Sequence, residues 1–178
     1  GNTGSNLLDE NQPVFTLASC MLSNIEAQNL LELIDSKSPH EAHFKNLRRK
    51  KSGQDGIIRL MRSNLIEPEN VKVNIFLKEF MITSKIVDIL IEHMMHLNGE
   101  DLYLNGRNIA LSNMLYYCLP TFHDSDLVKS MYKAFVVMIR IQDQESIDNF
   151  YLSVENVKAS SINDEYNRNI DLILDTKK

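Results

Sequence analysis

Glu41 and His43 stand two residues apart, in Glu41-Ala42-His43. On an extended segment, side chains at i and i+2 face the same way, so this carboxylate and this imidazole can converge on one point. The Glu can bind a metal ion and the His can shuttle a proton. The same pair equally describes a surface Glu beside a partly buried His. His40 adds a His-x-x-His spacing, but no third ligand is near in sequence, and zinc is not expected there. His93 and His96, in Glu-His-Met-Met-His, do not follow the His-Glu-x-x-His order of zinc peptidases. They read as histidines along one helix face.

Lys78 closes the alternating run Val71 to Lys78, in which Val71, Val73, Ile75 and Leu77 share one face and Lys78 falls on the other, with Phe76. An ammonium there can neutralise a phosphate or a metal-bound carboxylate, or it can simply reach solvent from a strand end. Asp88, between Val87 and Ile89, reads as solvated rather than catalytic.

Charge supplies a different kind of chemistry. The chain carries a formal net charge of -5, unevenly spread. From Lys45 to Arg62 the cations Lys45, Arg48, Arg49, Lys50, Lys51, Arg59 and Arg62 meet Asp55 alone, a local net of +6 that leaves -11 for the remainder. An acidic protein with one basic segment is a candidate for local polyanion binding. Lys45, Arg48, Arg49, Lys50 and Lys51 are its candidate nucleic-acid contacts. A solvated helix and loop would have the same composition.

The elements that must position these residues follow from periodicity. Val14 to Leu22 is a nearly continuous apolar run, the pattern of a central strand buried on both faces. Ser23 and Glu26 form a capping-box pattern. Ala27, Leu30, Leu31 and Ile34 then recur as one buried helix face. Residues 40–52 read as a helix or an irregular connection, Gly53 and Gly56 as brackets of a turn, and Ile57 to Leu65 as another helix. Val71 to Lys78 is the clearest strand. The two strands are expected to be sheet neighbours, with the helix from Asn24 to Ile34 packed on them. Beyond them the chain reads as helical. One helix starts near Thr83 or Ser84 and ends at Asn98-Gly99. Ile109 to Cys118 is stopped by Pro120. A third helix is capped by Ser125. Two more polar helices, Glu145 to Lys158 and Asn163 to Leu174, are expected nearer the surface. Early strands and a late helical run predict an α/β class, with α+β as the alternative.

The opening Gly1-Asn2-Thr3-Gly4 is turn-forming, and two strands do not make an independently stable sheet. Both features lead to the expectation that a strand precedes Gly1 and that further structure follows Lys178. At 178 residues the chain is expected to be a single domain. Hydrophobic residues make up 43% and charged residues 24%, ordinary for globular material, and no apolar run approaches a membrane span. Cys20 and Cys118 read as buried reduced thiols, which predicts a cytoplasmic protein.

The order of these pieces resembles one family of bacterial and phage proteins, domain of unknown function 3800, with a ribonuclease-H-like fold. The resemblance lies in Gly1-Asn2-Thr3-Gly4 followed by "VFTLASCML", in Glu41-Ala42-His43, and in "IFLKEFMITSKIVDIL" with Lys78, Phe80 and Lys85 to Asp88. It covers residues 1 to about 100. It implies a small mixed sheet flanked by helices and a metal-dependent nuclease in which clustered carboxylates hold two Mg²⁺ or Mn²⁺ ions. It also implies Glu41, His43 and Lys78 at the site, close to the opening turn. The family's own opening Asp and Glu would precede Gly1, so no metal ligand set is read from this chain. The alternative is a non-catalytic module of the same fold that binds nucleic acid or protein.

Overall fold

A Ser-x-x-Glu pair starts the first helix. In the computed structural model, which describes residues 7–34 and 42–177, helix α1 spans Asn24–Glu32 and Ser23 is its N-cap. The Glu26 carboxylate accepts the Ser23 N–H at 2.8 Å, and the Ser23 hydroxyl oxygen accepts the Glu26 N–H at 3.3 Å. This is the capping box expected from sequence. Ahead of it runs strand β1, Val14–Cys20. Two short helices follow α1: α2, Phe44–Leu47, and α3, Lys51–Met61. Strand β2 is Val71–Leu77.

β1 and β2 pair in a two-stranded sheet, as predicted. Met21 N–H donates to the Asn70 carbonyl at 2.8 Å, and at the other end Lys78 N–H donates to the Pro13 carbonyl at 3.0 Å. Low numbers meet high ones, so the strands are antiparallel.

The burial expected of these strands is not found. Val14, Leu17, Val73, Ile75 and Leu77 are all exposed, on both faces of the sheet. A continuous apolar run specifies a strand but not a second layer to cover it, and among the described residues none covers this one. The predicted face of α1 is corrected likewise, since Leu30 alone is buried there while Leu31 is exposed. Cys20 is exposed and Cys118 partly buried, both free, so the reading of two buried thiols fails at Cys20.

The chain divides into two compact units. The smaller, Thr16–Ile75, holds most of both strands and α1 to α3. Gly53 and Gly56 do not bracket a turn there. Both lie inside α3 and are buried. A Cβ on Gly53 would clash with the Leu47 carbonyl oxygen, so glycine is what lets α3 approach the end of α2. Arg59 Nη2 donates to the Leu33 carbonyl at 3.0 Å, tying α3 to the end of α1.

The larger unit, Gly1–Phe15 with Phe76–Lys178, is helical. α4 is Lys78–Ile86, starting several residues before the predicted Thr83 or Ser84. It continues through a π-helical turn, Val87–Ile91, into α5, Glu92–Leu97. Gly99, at φ +81°, ends that run, as Asn98-Gly99 predicted. After a short 3₁₀ turn, α6 spans Arg107–Phe122. Pro120 lies within its last turn and does not stop it. α7 is Ser125–Ile141, capped by the Asp124 carboxylate rather than by Ser125. α8 is Gln144–Ala159 and α9 is Asn167–Leu174.

The core sits among these helices. α7 contributes Val128, Met131, Tyr132, Phe135 and Met138, and α8 contributes Phe150, Tyr151, Val154 and Val157. The Phe135 and Phe150 ring centroids are 5.5 Å apart. Ile82, Ile86, Val87 and Ile91 from α4 and its π turn, Leu115 and Leu119 of α6, and Ile170 and Ile173 of α9 join it, with Leu102 and Tyr166 from the connections. The last two helices are therefore not peripheral as predicted. Their average polarity conceals a narrow, fully buried stripe.

Candidate functional site

The basic segment is built around Leu47. That side chain is buried, while Lys45, Arg48, Arg49, Lys50 and Lys51 are all exposed. α2 begins after His43, whose backbone is extended (φ -91°, ψ 116°) and whose carbonyl accepts the Asn46 and Leu47 N–H groups at 2.9 and 3.1 Å. Arg48 closes α2, and Lys50, again extended, precedes α3 without capping it through its side chain. Gln54 Nε2 donates to the Arg48 carbonyl at 2.8 Å and closes this corner.

Lys51 meets Asp55 at 3.0 Å in an exposed pair. Lys45, Arg48, Arg49 and Lys50 have no acidic partner among the described residues. Lys50 and Lys51 stand at the N-terminal end of α3, where the helix dipole is already positive. The arrangement is unfavourable for the helix and favourable for a nearby anion.

Of the residues expected to do catalysis, His43 and Lys78 are described, one in each unit. Glu41 and His40 lie outside the described residues, and so does the opening turn. His43 is exposed and belongs to the smaller unit. Lys78 belongs to the larger one and is the first residue of α4, not the last of a strand. Only 1% of it is exposed, and its Nζ has no hydrogen-bond partner among the described residues. The strand-end lysine reaching solvent is thereby excluded. No three His, Cys, Asp or Glu side chains among the described residues are grouped as metal ligands.

A second site lies wholly in the larger unit, where no sequence motif pointed. A cleft of about 230 Å³ is lined by Glu79 from α4, Tyr116, Tyr117 and Pro120 from α6, and Ser125, Val128, Lys129 and Tyr132 from α7. The Tyr116 and Tyr117 rings meet at 70° with centroids 5.0 Å apart, and Phe80 stands edge-on to Tyr116 at 5.4 Å. Thr83 Oγ1 lies 2.8 Å from the Tyr132 hydroxyl and 3.0 Å from the Glu79 carbonyl, which pins the Tyr132 phenol to α4. Burial pushes that phenol up to about 12, and the Glu79 charge adds to the shift. Lys129 is turned toward Glu10, 3.5 Å away. The Glu79 carboxylate has no cationic partner among the described residues. The signal available in sequence was Tyr116-Tyr117 on an otherwise apolar helix, but the other lining residues arrive only through packing.

Compared with family models, with curated proteins and with solved structures, the chain matches none. Among the described residues no helix is long and apolar enough to cross a membrane.

Proposed function

We propose that the chain is a binding module for the phosphate backbone of a nucleic acid, contacted by Lys45, Arg48, Arg49, Lys50 and Lys51. The observation that carries this reading is the exposure of all five cations around one corner, four of them without an acidic partner among the described residues. Consecutive charges at a short helix–helix junction read phosphates rather than base edges. Binding is therefore insensitive to sequence and steeply salt-dependent, because each neutralised phosphate releases counterions. The nuclease reading, with a ribonuclease-H-like fold, a bound Mg²⁺ or Mn²⁺ pair and a cytoplasmic setting, rests on the family resemblance alone.

The test is a salt titration of binding to an oligonucleotide duplex. With Arg48, Arg49, Lys50 and Lys51 all replaced by Ala, the log–log slope should flatten by up to about 0.9 for each phosphate that is no longer neutralised. The melting temperature should hold, since exposed substitutions cost about 0.5 kcal/mol or less. Unchanged affinity and slope in the variant would assign these cations to solvation.

A further inference from the structure

We propose that the cleft formed by α4, α6 and α7 in the larger unit binds a methylated ammonium group, held against the tyrosine rings with Glu79 as its counter-charge. The proposal is independent of the basic segment and concerns a cation rather than an anion.

Three features of the cleft select the ligand. The first is its ring geometry. Tyr116 and Tyr117 meet edge-to-face, an arrangement that leaves π faces unstacked, and the negative face of a tyrosine attracts a cation within about 6 Å of the ring centroid. The second is charge. Glu79 lines the cleft with no cationic partner among the described residues, while the one lining cation, Lys129, is held by Glu10 at 3.5 Å. The third is the apolar share of the wall. Pro120, Val128 and the rings supply most of the wall, leaving the Glu79 carboxylate, the phenol oxygens and the Ser125 hydroxyl. These oxygens can also meet a primary ammonium, with its three N–H donors, or part of a guanidinium, with its five, so it is the apolar share of the wall, Pro120, Val128 and the rings, that favours the methylated group. A fully methylated ammonium has no N–H donor and presents a diffuse charge on an apolar shell. At about 230 Å³ the cleft is smaller than the roughly 300–1,000 Å³ of sites for drug-sized ligands. That size suits one headgroup or one side-chain tip.

The group can come from a small quaternary amine or from a methylated lysine side chain, and the test separates the two. The full chain is titrated calorimetrically, at matched ionic strength, with choline chloride and with its neutral carbon isostere 3,3-dimethylbutan-1-ol. A second arm uses a short peptide bearing trimethyllysine and the same peptide unmethylated. The protein has six Tyr and no Trp, so quenching of tyrosine emission provides an independent readout.

The cation should bind about tenfold or more tightly than its isostere. Saturation in the choline arm alone identifies a small amine; preference for the methylated peptide identifies a side chain. Tyr117→Leu and Glu79→Gln should each weaken binding about five- to tenfold. Tyr117 is 66% exposed, so its replacement should leave the melting temperature unchanged. Equal affinity for choline and its isostere would overturn the proposal, as would the absence of saturable binding in both arms. Undiminished affinity in both variants at unchanged stability would overturn it too.

Discussion

On α7 of the larger unit, Val128, Met131, Phe135 and Met138 recur at helical spacing and all four are buried. In the smaller unit Leu17, Met21, Ile25, Ile58, Met61, Val73 and Ile75 are as apolar, and all are exposed. Every member of the main core, from Ile82 to Ile173, belongs to the larger unit. In the smaller one, Leu30 and Leu47 are the only buried hydrophobics among the described residues. Periodicity tells which face of an element is apolar. Whether that face is buried depends on a partner element arriving opposite, and in the larger unit α8 arrives opposite α7. So small a unit as Thr16–Ile75 has little interior to offer in any case. The difference predicts where stability resides: in the helices of the larger unit, with the sheet and α1 to α3 opening at lower free energy.

The largest effect that can break this comparison is a cavity in the core set against the same truncation outside it. Phe150 is fully buried between α7 and α8, whereas Phe44, the first residue of α2, is 64% exposed. Phe150→Ala should cost about 3–5 kcal/mol, and Phe44→Ala about 0.5 kcal/mol or less, both read from urea melts. Comparable costs would show that the apolar surface of the smaller unit is covered in solution, and the contrast between the two units would fail.

A smaller effect of opposite sign comes from Lys78. Its amine is buried in the larger unit with no hydrogen-bond partner among the described residues. An unmatched buried polar group costs about 1–3 kcal/mol in proteins. Lys78→Met keeps much of the length of the side chain and removes the amine. It should raise stability by about 1–2 kcal/mol, which for a chain of this size is roughly 2–8 °C in melting temperature. A drop instead would show that the amine is matched in solution.

The same contrast explains what is legible in the sequence. Strand pairing is legible because the alternation in β2 and the run in β1 each have one interpretation. The Ser23–Glu26 capping box is legible because its partners are three residues apart. The helices of the larger unit are legible too, with boundaries that shift where a rule is applied too locally. Pro120 predicts a stop, although α6 runs two residues past it to Phe122, and Ser125 predicts a cap, although Asp124 stands one residue earlier. Gly53 misleads because glycine has two uses: it permits a turn, and here it permits the approach of a neighbouring backbone. The cleft at Glu79, Tyr116, Tyr117 and Tyr132 is invisible in sequence because its residues span three helices and converge only when the core packs.

The smallest expected effect compares how the two units respond to acid. Asp143 is the N-cap of α8, and its carboxylate accepts the Ser146 N–H at 2.8 Å. Its hydrogen bonding to Ser146 holds its pKa below the ordinary 3.8. In the smaller unit, Glu26 is held below the ordinary 4.5, chiefly by the bond from the Ser23 backbone. For a carboxyl with a depressed folded pKa, the stabilisation is complete above the unfolded value and disappears as pH falls through the folded one. Acidification should therefore begin to loosen α1 just below 4.5 and α8 only below 3.8. Asp143→Asn separates capping from charge, since Asn caps a helix about as well as Asp. The variant should melt like the wild type at neutral pH and lose less stability than it does below about pH 3.8. Circular-dichroism melts of both proteins across the acid range measure this. Parallel curves would mean that the Asp143 charge contributes nothing beyond its cap and that the larger unit unfolds in acid for other reasons.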